Sequence, residues 1–245
     1  MVKNIWVLSM FDSYFDQFTE FGVIGQLFRG DRGGDIDFKF HAVSIAQFNK
    51  KGFKGVDDSP YGGGVGMIIR PDILKEVLIE GVVKPGGYKS IKDDLHIVCP
   101  APRGKTWTQE LAMEFAERNL SKKSKDLVFI CGRYEGIDER FLENYVNEYI
   151  SLGDYILTGG ELATMVILDS ALRFSSGVLG NKLSVTEESF FNNKLEHALY
   201  TKPFSFEDKE VPEALKSGHH QKILEFREES SEKITIKYRP DLKDK

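Results

Sequence analysis

The segment Cys131-Gly132-Arg133-Tyr134-Glu135-Gly136-Ile137-Asp138-Glu139-Arg140 puts a cation, an aromatic face and a carboxylate between two glycines. It follows the apolar run LVFIC directly. Ligands of open α/β sheets sit outside the carboxyl ends of the strands, so this is a candidate ligand loop. The plainer reading is a helix start held by salt bridges among Asp138, Glu139 and Arg140. A second such exit is Ser151-Leu152-Gly153-Asp154-Tyr155-Ile156-Leu157-Thr158-Gly159-Gly160-Glu161. A third, Pro100-Ala101-Pro102-Arg103-Gly104-Lys105, follows LHIVC. Three glycine-bearing exits of this kind can build one pocket at one edge of a sheet.

Ser59-Pro60-Tyr61-Gly62-Gly63-Gly64-Val65-Gly66-Met67 places four glycines in five positions. Glycine allows positive φ and close backbone approach to a ligand. No Lys-Ser/Thr follows, so this is not a P-loop, and the glycine spacing is not that of a dinucleotide fingerprint. A flexible surface loop is the plain alternative. No Cys/His pair has zinc-ligand spacing, and no nucleophile elbow or Ser/His/Asp order is present. His219-His220 at a helix start reads as polar surface.

Elements must position these loops. Short apolar runs at 5–9 (IWVLS), 38–43, 95–99, 127–131 and 149–152 read as buried strands. Helical spacing is expected over 12–28, 71–80 and 106–120, with Thr106 and Gln109 as a capping box. A strong helix is expected over 160–174, with Leu162, Met165, Val166 and Leu172 on one side. The alternation predicts an α/β domain with a mainly parallel sheet. After Phe174 the texture changes to a polar stretch, SSGVLGNKLSVTEESFFNNK, long enough for a linker or functional loop. Short helices starting near Val211-Pro212-Glu213 and His219-His220 close the chain.

The chain has 245 residues, 41% hydrophobic and 29% charged, which suits a globular protein with its own core. The net charge is -5. Residues 126–161 carry eight acidic and two basic side chains, which leaves the remainder at +1. Residues 29–54 and 101–125 each hold six basic against three acidic side chains. A pI of 5.7 disfavours a nucleic-acid binder held by bulk charge, but not a local basic face. There is no apolar run of ~18 residues and no secretory signal pattern, so no membrane association is expected. Cys99 and Cys131 each end an apolar run and read as buried thiols in a reducing, cytoplasmic protein.

SPYGGGVGM, CGRYEGIDERF, SLGDYILTGGELA, SALRFSSGVLGN, TEESF and EVPEALKSGHH occur in that order. Together they closely resemble the bacterial tRNA (guanine-N1)-methyltransferase family, from Trp6 to about Leu242. The resemblance implies a SPOUT-type α/β fold with a deep trefoil knot, an exception to the rule against threaded chains, plus a small C-terminal helical domain. The expected organisation is 1–174 as an S-adenosylmethionine-binding domain, 175–193 as a catalytic linker disordered without tRNA, and 194–245 as a tRNA-binding domain. The cofactor contacts it implies are Pro102, Gly132, Tyr134, Glu135, Gly136, Leu152, Gly153, Asp154, Tyr155, Ile156, Leu157, Gly159 and Gly160. It further implies a homodimer with each active site built from both chains, and methylation of N1 of guanosine 37 in tRNA preceded by guanosine 36. Magnesium is associated with the family's reaction, and no ligand set for it is visible in the sequence.

Methylating guanine N1 needs a general base and stabilisation of charge on O6. The resemblance assigns O6 to Arg173 and the base to an aspartate in a T-E-D-S-F linker. This chain reads Thr186-Glu187-Glu188-Ser189-Phe190, so Glu188 stands at the base position, one methylene longer. Glu187 is the alternative base, and Asp169, within a helix, reads as structural. Lys202, Ser217, Gly218, His219, His220 and Arg227 are candidate phosphate or sugar contacts. Two other readings stay open at this point: a SPOUT-type methyltransferase acting on another RNA site, and a catalytically inactive RNA-binding relative. A nucleotide-dependent oxidoreductase, suggested by the glycine-rich loops, lacks the dinucleotide fingerprint.

Overall fold

The computed structural model describes residues 1–49, 55–179 and 188–244. Of the linker expected over 175–193, residues 180–187, Glu187 among them, lie outside the described residues. The chain forms two compact units, Met1–Gly180 and Asn181–Lys245.

The first unit is built on a five-stranded sheet in the order β2-β1-β6-β5-β7. The strands are β1 (Val2–Ser9), β2 (Asp37–Ser44), β5 (Leu95–Thr106), β6 (Asp126–Ile130) and β7 (Glu148–Ser151), and every neighbouring pair is parallel. This is the mainly parallel α/β sheet expected from the sequence. Two-residue strands β3 (Asp57–Asp58) and β4 (Ile68–Ile69) form a separate antiparallel hairpin.

The period of two along each strand sorts its side chains to opposite faces. Ile5 and Val7 of β1 and Leu127 and Phe129 of β6 enter one core. Trp6, Leu8, Val128 and Ile130 enter the other. Both faces are therefore covered, as parallel sheets require. The first core is closed by α2 (Gly22–Arg29), α6 (Gln109–Asn119) and α8 (Gly160–Leu172). The second is closed by α3 (Pro71–Glu76), which runs on through a π-helical stretch to α4 (Lys84–Gly86), and by α7 (Glu139–Tyr145). Short helices α1 (Asp16–Glu20) and α5 (Ile91–Asp94) complete this unit.

Several expectations are corrected. The helix expected over 12–28 is broken: Phe21 is extended and Gly22 has φ +70°, so a 3-10 turn and α1 end before α2 begins. Thr106 belongs to β5, and the cap of α6 is Thr108, whose hydroxyl accepts the Leu111 N–H at 3.2 Å. On α8 the buried side carries Ala163, Thr164, Ile167, Leu168, Ala171 and Leu172. Leu162 and Val166 face outward, 50% and 48% exposed. The loop 100–105 does not leave the sheet for good. It bulges out of β5 after Pro100 and pairs with β7 again at Lys105. Proline has no N–H for the ladder, so the bulge falls where Pro100 and Pro102 stand.

The second unit holds a hairpin of β8 (Ser205–Phe206) and β9 (Lys209–Glu210), then α9 (Glu213–Lys216) and the long α10 (His220–Tyr238). Among the described residues, no helix is long and apolar enough to cross a membrane.

Candidate active site

The carboxyl ends of β5, β6 and β7 open on one cleft of about 490 Å³. The β5 bulge, the loop after β6 and the loop between β7 and α8 form its walls, with Leu142, Ile150 and Ala163 among its apolar lining. Pro102, Gly132, Tyr134, Glu135, Gly136, Leu152, Gly153, Tyr155, Ile156, Leu157, Gly159 and Gly160 all line it. Asp154, between two lining residues, is exposed and does not.

Backbone contacts hold the three walls together. The Gly160 N–H donates to the Gly132 carbonyl at 2.9 Å. A Cβ on Gly160 would lie 2.8 Å from Cys131 Cα, so only glycine lets α8 start this close to β6. Arg133 crosses from the β6 exit to α8. Its Nε donates to Glu161 Oε1 at 3.2 Å, and its Nη1 donates to the Thr158 carbonyl at 3.2 Å. Its guanidinium also lies 4.7 Å from the ring centre of Phe11. Ser9, at the end of β1, donates to the same Glu161 oxygen at 2.7 Å. The cation read from the sequence as a ligand group lines the cleft and also braces its wall.

The glycine-rich segment is the tip of the β3–β4 hairpin, not a free loop. Its Met67 carbonyl accepts the Glu135 N–H at 3.0 Å, and the Ile69 N–H donates to Gly136 at 3.0 Å. Gly66 has φ +83°, and a Cβ there would run into the Glu135 side chain. Tyr61, at the tip, is fully exposed. Tyr134 takes a left-handed φ of 59°. Its phenol is pushed above the ordinary value, by partial burial first and then by the Asp57 carboxylate.

Burial pushes the Cys99 thiol up to about 12, and the fully buried Cys131 thiol is raised as well. Neither supplies a thiolate near neutral pH. Among the described residues, no three His, Cys, Asp or Glu side chains converge on a possible metal site.

Arg173 is the C-cap of α8 and half-buried. Asp169, on the same helix, is exposed. In the second unit, Glu188 lines a pocket of about 250 Å³ together with Arg227, Lys194, Glu196, His197 and Glu228. Ser217, Gly218, His219 and His220 form the exposed turn between α9 and α10. The His219 N–H donates to Ser217 Oγ at 3.2 Å. Lys202 is exposed. Arg227 is half-buried, about two turns into α10.

Comparison with known proteins adds the family. The family model described as tRNA (Guanine-1)-methyltransferase TrmD matches residues 3–245. This chain belongs to that family. A tRNA (guanine-N(1)-)-methyltransferase of Lactobacillus delbrueckii subsp. bulgaricus is 39% identical over 242 residues, covering 99% of this chain and 89% of the relative. Those of Clostridium novyi and Ruegeria sp. are 41% and 37% identical, covering 99% and 98% of this chain and 92% and 93% of the relatives.

Residues the sequence reading did not assign to the site are Arg103, Ile137, Leu142, Ile150, Thr158 and Ala163, which also line the cleft. Arg103 could have been found from the Pro-Arg-Gly bulge. It reaches Glu139 of α7 with both Nη atoms, at 2.6 and 2.9 Å. The aliphatic residues gave no signal beyond strand and helix periodicity.

Proposed function

We propose that this chain methylates N1 of guanosine 37 in tRNA, beside the anticodon, with S-adenosylmethionine as methyl donor. The observation that carries the reading is the cleft at the β5, β6 and β7 exits. Of the thirteen positions that the family motifs assign to the cofactor, all but Asp154 line it. The donor set suits an adenosine with a charged tail. Glycine backbone brings N–H and C=O groups close to the adenine edge, and Leu157 and Ile150 offer apolar contact. A knotted path of the chain through these loops, as in SPOUT-type folds, belongs to the same proposal.

The bound cofactor would supply an electrophilic methyl group on a sulfonium. Glu188 would take the proton from guanine N1 as that nitrogen accepts the methyl group, the donor leaving as a thioether. Arg173 faces the charge that develops on O6, where a guanidinium with fixed donors is always protonated. Guanosine 37 must leave its stack to reach the cleft. Lys202, Ser217, Gly218, His219 and His220 are proposed contacts to tRNA phosphates and sugars, since each is exposed near the start of α10 or the β8–β9 hairpin. A second copy of the chain is proposed to cover the outward side of α8, where Leu162 and Val166 lie bare.

The test uses labelled S-adenosylmethionine and two tRNA transcripts, one with guanosine at 36 and 37, the other with adenosine at 37. Label is expected in the first alone, and label in both or neither overturns the reading. Arg173→Lys should keep tRNA binding and lose rate, because the ammonium cannot reproduce a planar fork.

A further inference from the structure

Helix α10 turns a polar stripe toward the segment that follows Glu188. Arg227, Ser231, Thr235 and Arg239 recur every four residues, so they share one side of the helix. Thr235 is fully buried, and its hydroxyl accepts the Leu195 N–H at 2.8 Å. Ser231 donates to the Leu195 carbonyl at 2.5 Å, and Ser230 beside it accepts the Ala198 N–H at 3.0 Å. The Arg239 guanidinium lies 5.6 Å from the ring centre of Phe190.

The turn after Glu188 is closed on itself as well. Phe190 N–H donates to the Lys194 carbonyl at 2.7 Å, and Glu196 N–H donates to Ser189 Oγ at 2.9 Å. Phe190, Asn192 and Asn193 all take left-handed φ values, of 75°, 56° and 55°. Such a run of non-glycine residues persists only where its surroundings impose it. Arg239 packs on Phe190 within that run, and the α10 hydroxyls fix the backbone just after it, at Leu195 and Ala198.

At the amino-terminal end of the stripe, Arg227 shares the 250 Å³ pocket with Glu188. Arg227 Nε is buried and has no hydrogen-bond partner. An unsatisfied buried donor is costly, which favours any acceptor that reaches it. The other charged or titratable groups of the pocket are Lys194, Glu196, His197 and Glu228, of which Lys194 and Glu228 form an ion pair.

We propose that Arg227 is a positioning residue for the Glu188 carboxylate, holding it oriented while it acts as the base. This rests on the reading of Glu188 as that base. Both residues belong to the second unit, so their relation is set within one compact body. The extra methylene of glutamate gives the carboxylate a wider reach, and a bidentate guanidinium partner narrows it again. Arg227 then acts on chemistry rather than on tRNA affinity, which separates it from a phosphate contact.

The experiment measures single-turnover methyl transfer by the full chain over about pH 5 to 9, with saturating tRNA and cofactor, beside tRNA affinity by filter binding. Arg227→Met is expected to slow transfer about tenfold or more. The loss should persist across this pH range, because it is a loss of orientation. Its tRNA affinity should stay within about threefold of wild type, whereas loss of a phosphate contact would weaken binding. Arg227→Lys keeps the charge without the fork, so it should restore only part of the rate.

An unchanged rate overturns the proposal, as does a loss of tRNA affinity that accounts for the whole effect. If Arg227→Met does not fold by circular dichroism, Arg227→Lys decides, and a wild-type rate there overturns bidentate positioning. Glu188→Gln separates the two layers. Activity within a few-fold of wild type removes the base reading itself. An inactive Glu188→Gln beside wild-type Arg227 variants removes only the role of Arg227.

Discussion

Arg133, in the cleft lining, and Glu161 form an ion pair, Nη2 to Oε2 at 3.0 Å, with the carboxylate 1% and the guanidinium 13% exposed. The pair joins the loop after β6 to the first turn of α8, and Ser9 brings β1 to the same carboxylate. Removing one partner of such a pair leaves an uncompensated charge, at a cost of roughly 3–5 kcal/mol. Glu161→Leu alone should therefore cost on the order of 3 kcal/mol, while Glu161→Leu with Arg133→Met should recover much of it. Chemical denaturation of the two single variants and the double variant reads the coupling. Additive losses would show that the ion pair is not the brace.

The Gly66–Glu135 contact makes a second prediction. Gly66 combines a left-handed φ with a position that the Glu135 side chain fills. Gly66→Ala must strain the backbone and displace Glu135, so stability should fall by more than about 1 kcal/mol. Cofactor affinity should fall with it, because Glu135 lines the cleft. Calorimetry with S-adenosylmethionine checks this against Gly62→Ala, where a Cβ meets nothing and only the backbone strain applies. Equal affinity loss in both variants would mean that the Glu135 contact contributes nothing.

Lys3 sets a pH dependence of stability. It is 2% exposed, and its Nζ donates to the Ser124 carbonyl, Ser124 Oγ and the Lys125 carbonyl. Burial lowers its pKa to about 8, against which Asp126 acts weakly in the opposite sense. The folded chain gives up this proton at lower pH than the unfolded chain. Stability is therefore lowest below about 8 and rises as pH climbs toward 10.5. The gain is on the order of 2–3 kcal/mol. Comparing wild type with Lys3→Met in urea at pH 7.5 and 10 isolates it, and a stability difference independent of pH would refute it.

How the sequence was legible follows from what each signal measures. Short apolar runs reported the buried strands well, because a strand covered on both faces has no other composition. The motif loops were legible as strand exits, and their glycines marked close approaches such as Gly160 on Cys131. Thr108 and Thr106 are equally good caps by type, and only the re-pairing of Lys105 with β7 decides between them. Arg133 looked like a ligand group because its partner, Glu161, lies 28 residues away and nothing local announces the pair. The orientation of α8 was misread for a related reason. Leu162, Val166, Ile167 and Leu168 are all apolar, so little besides Asp169 marks the solvent side.

That same ambiguity supports the last prediction. A side of a helix with two large apolar residues one turn apart is normally covered, yet Leu162 and Val166, beside Asp169, stay half exposed in the single chain. They lie one turn apart on the outward side of α8, and the 3-10 turn of Asp12–Phe15, with Tyr14 exposed, packs against that helix. If a second copy covers this surface, a charge at its centre must be buried unpaired in the dimer and is harmless in the monomer. Val166→Glu should thus convert a dimer to monomer in light scattering at micromolar concentration, with little change in helix content. Because the proposed active site draws on both chains, methyl transfer should fall by about 100-fold or more, as expected when catalytic groups are no longer held together. A variant that stays dimeric would place the interface elsewhere, and a monomer with wild-type activity would end the shared-site proposal.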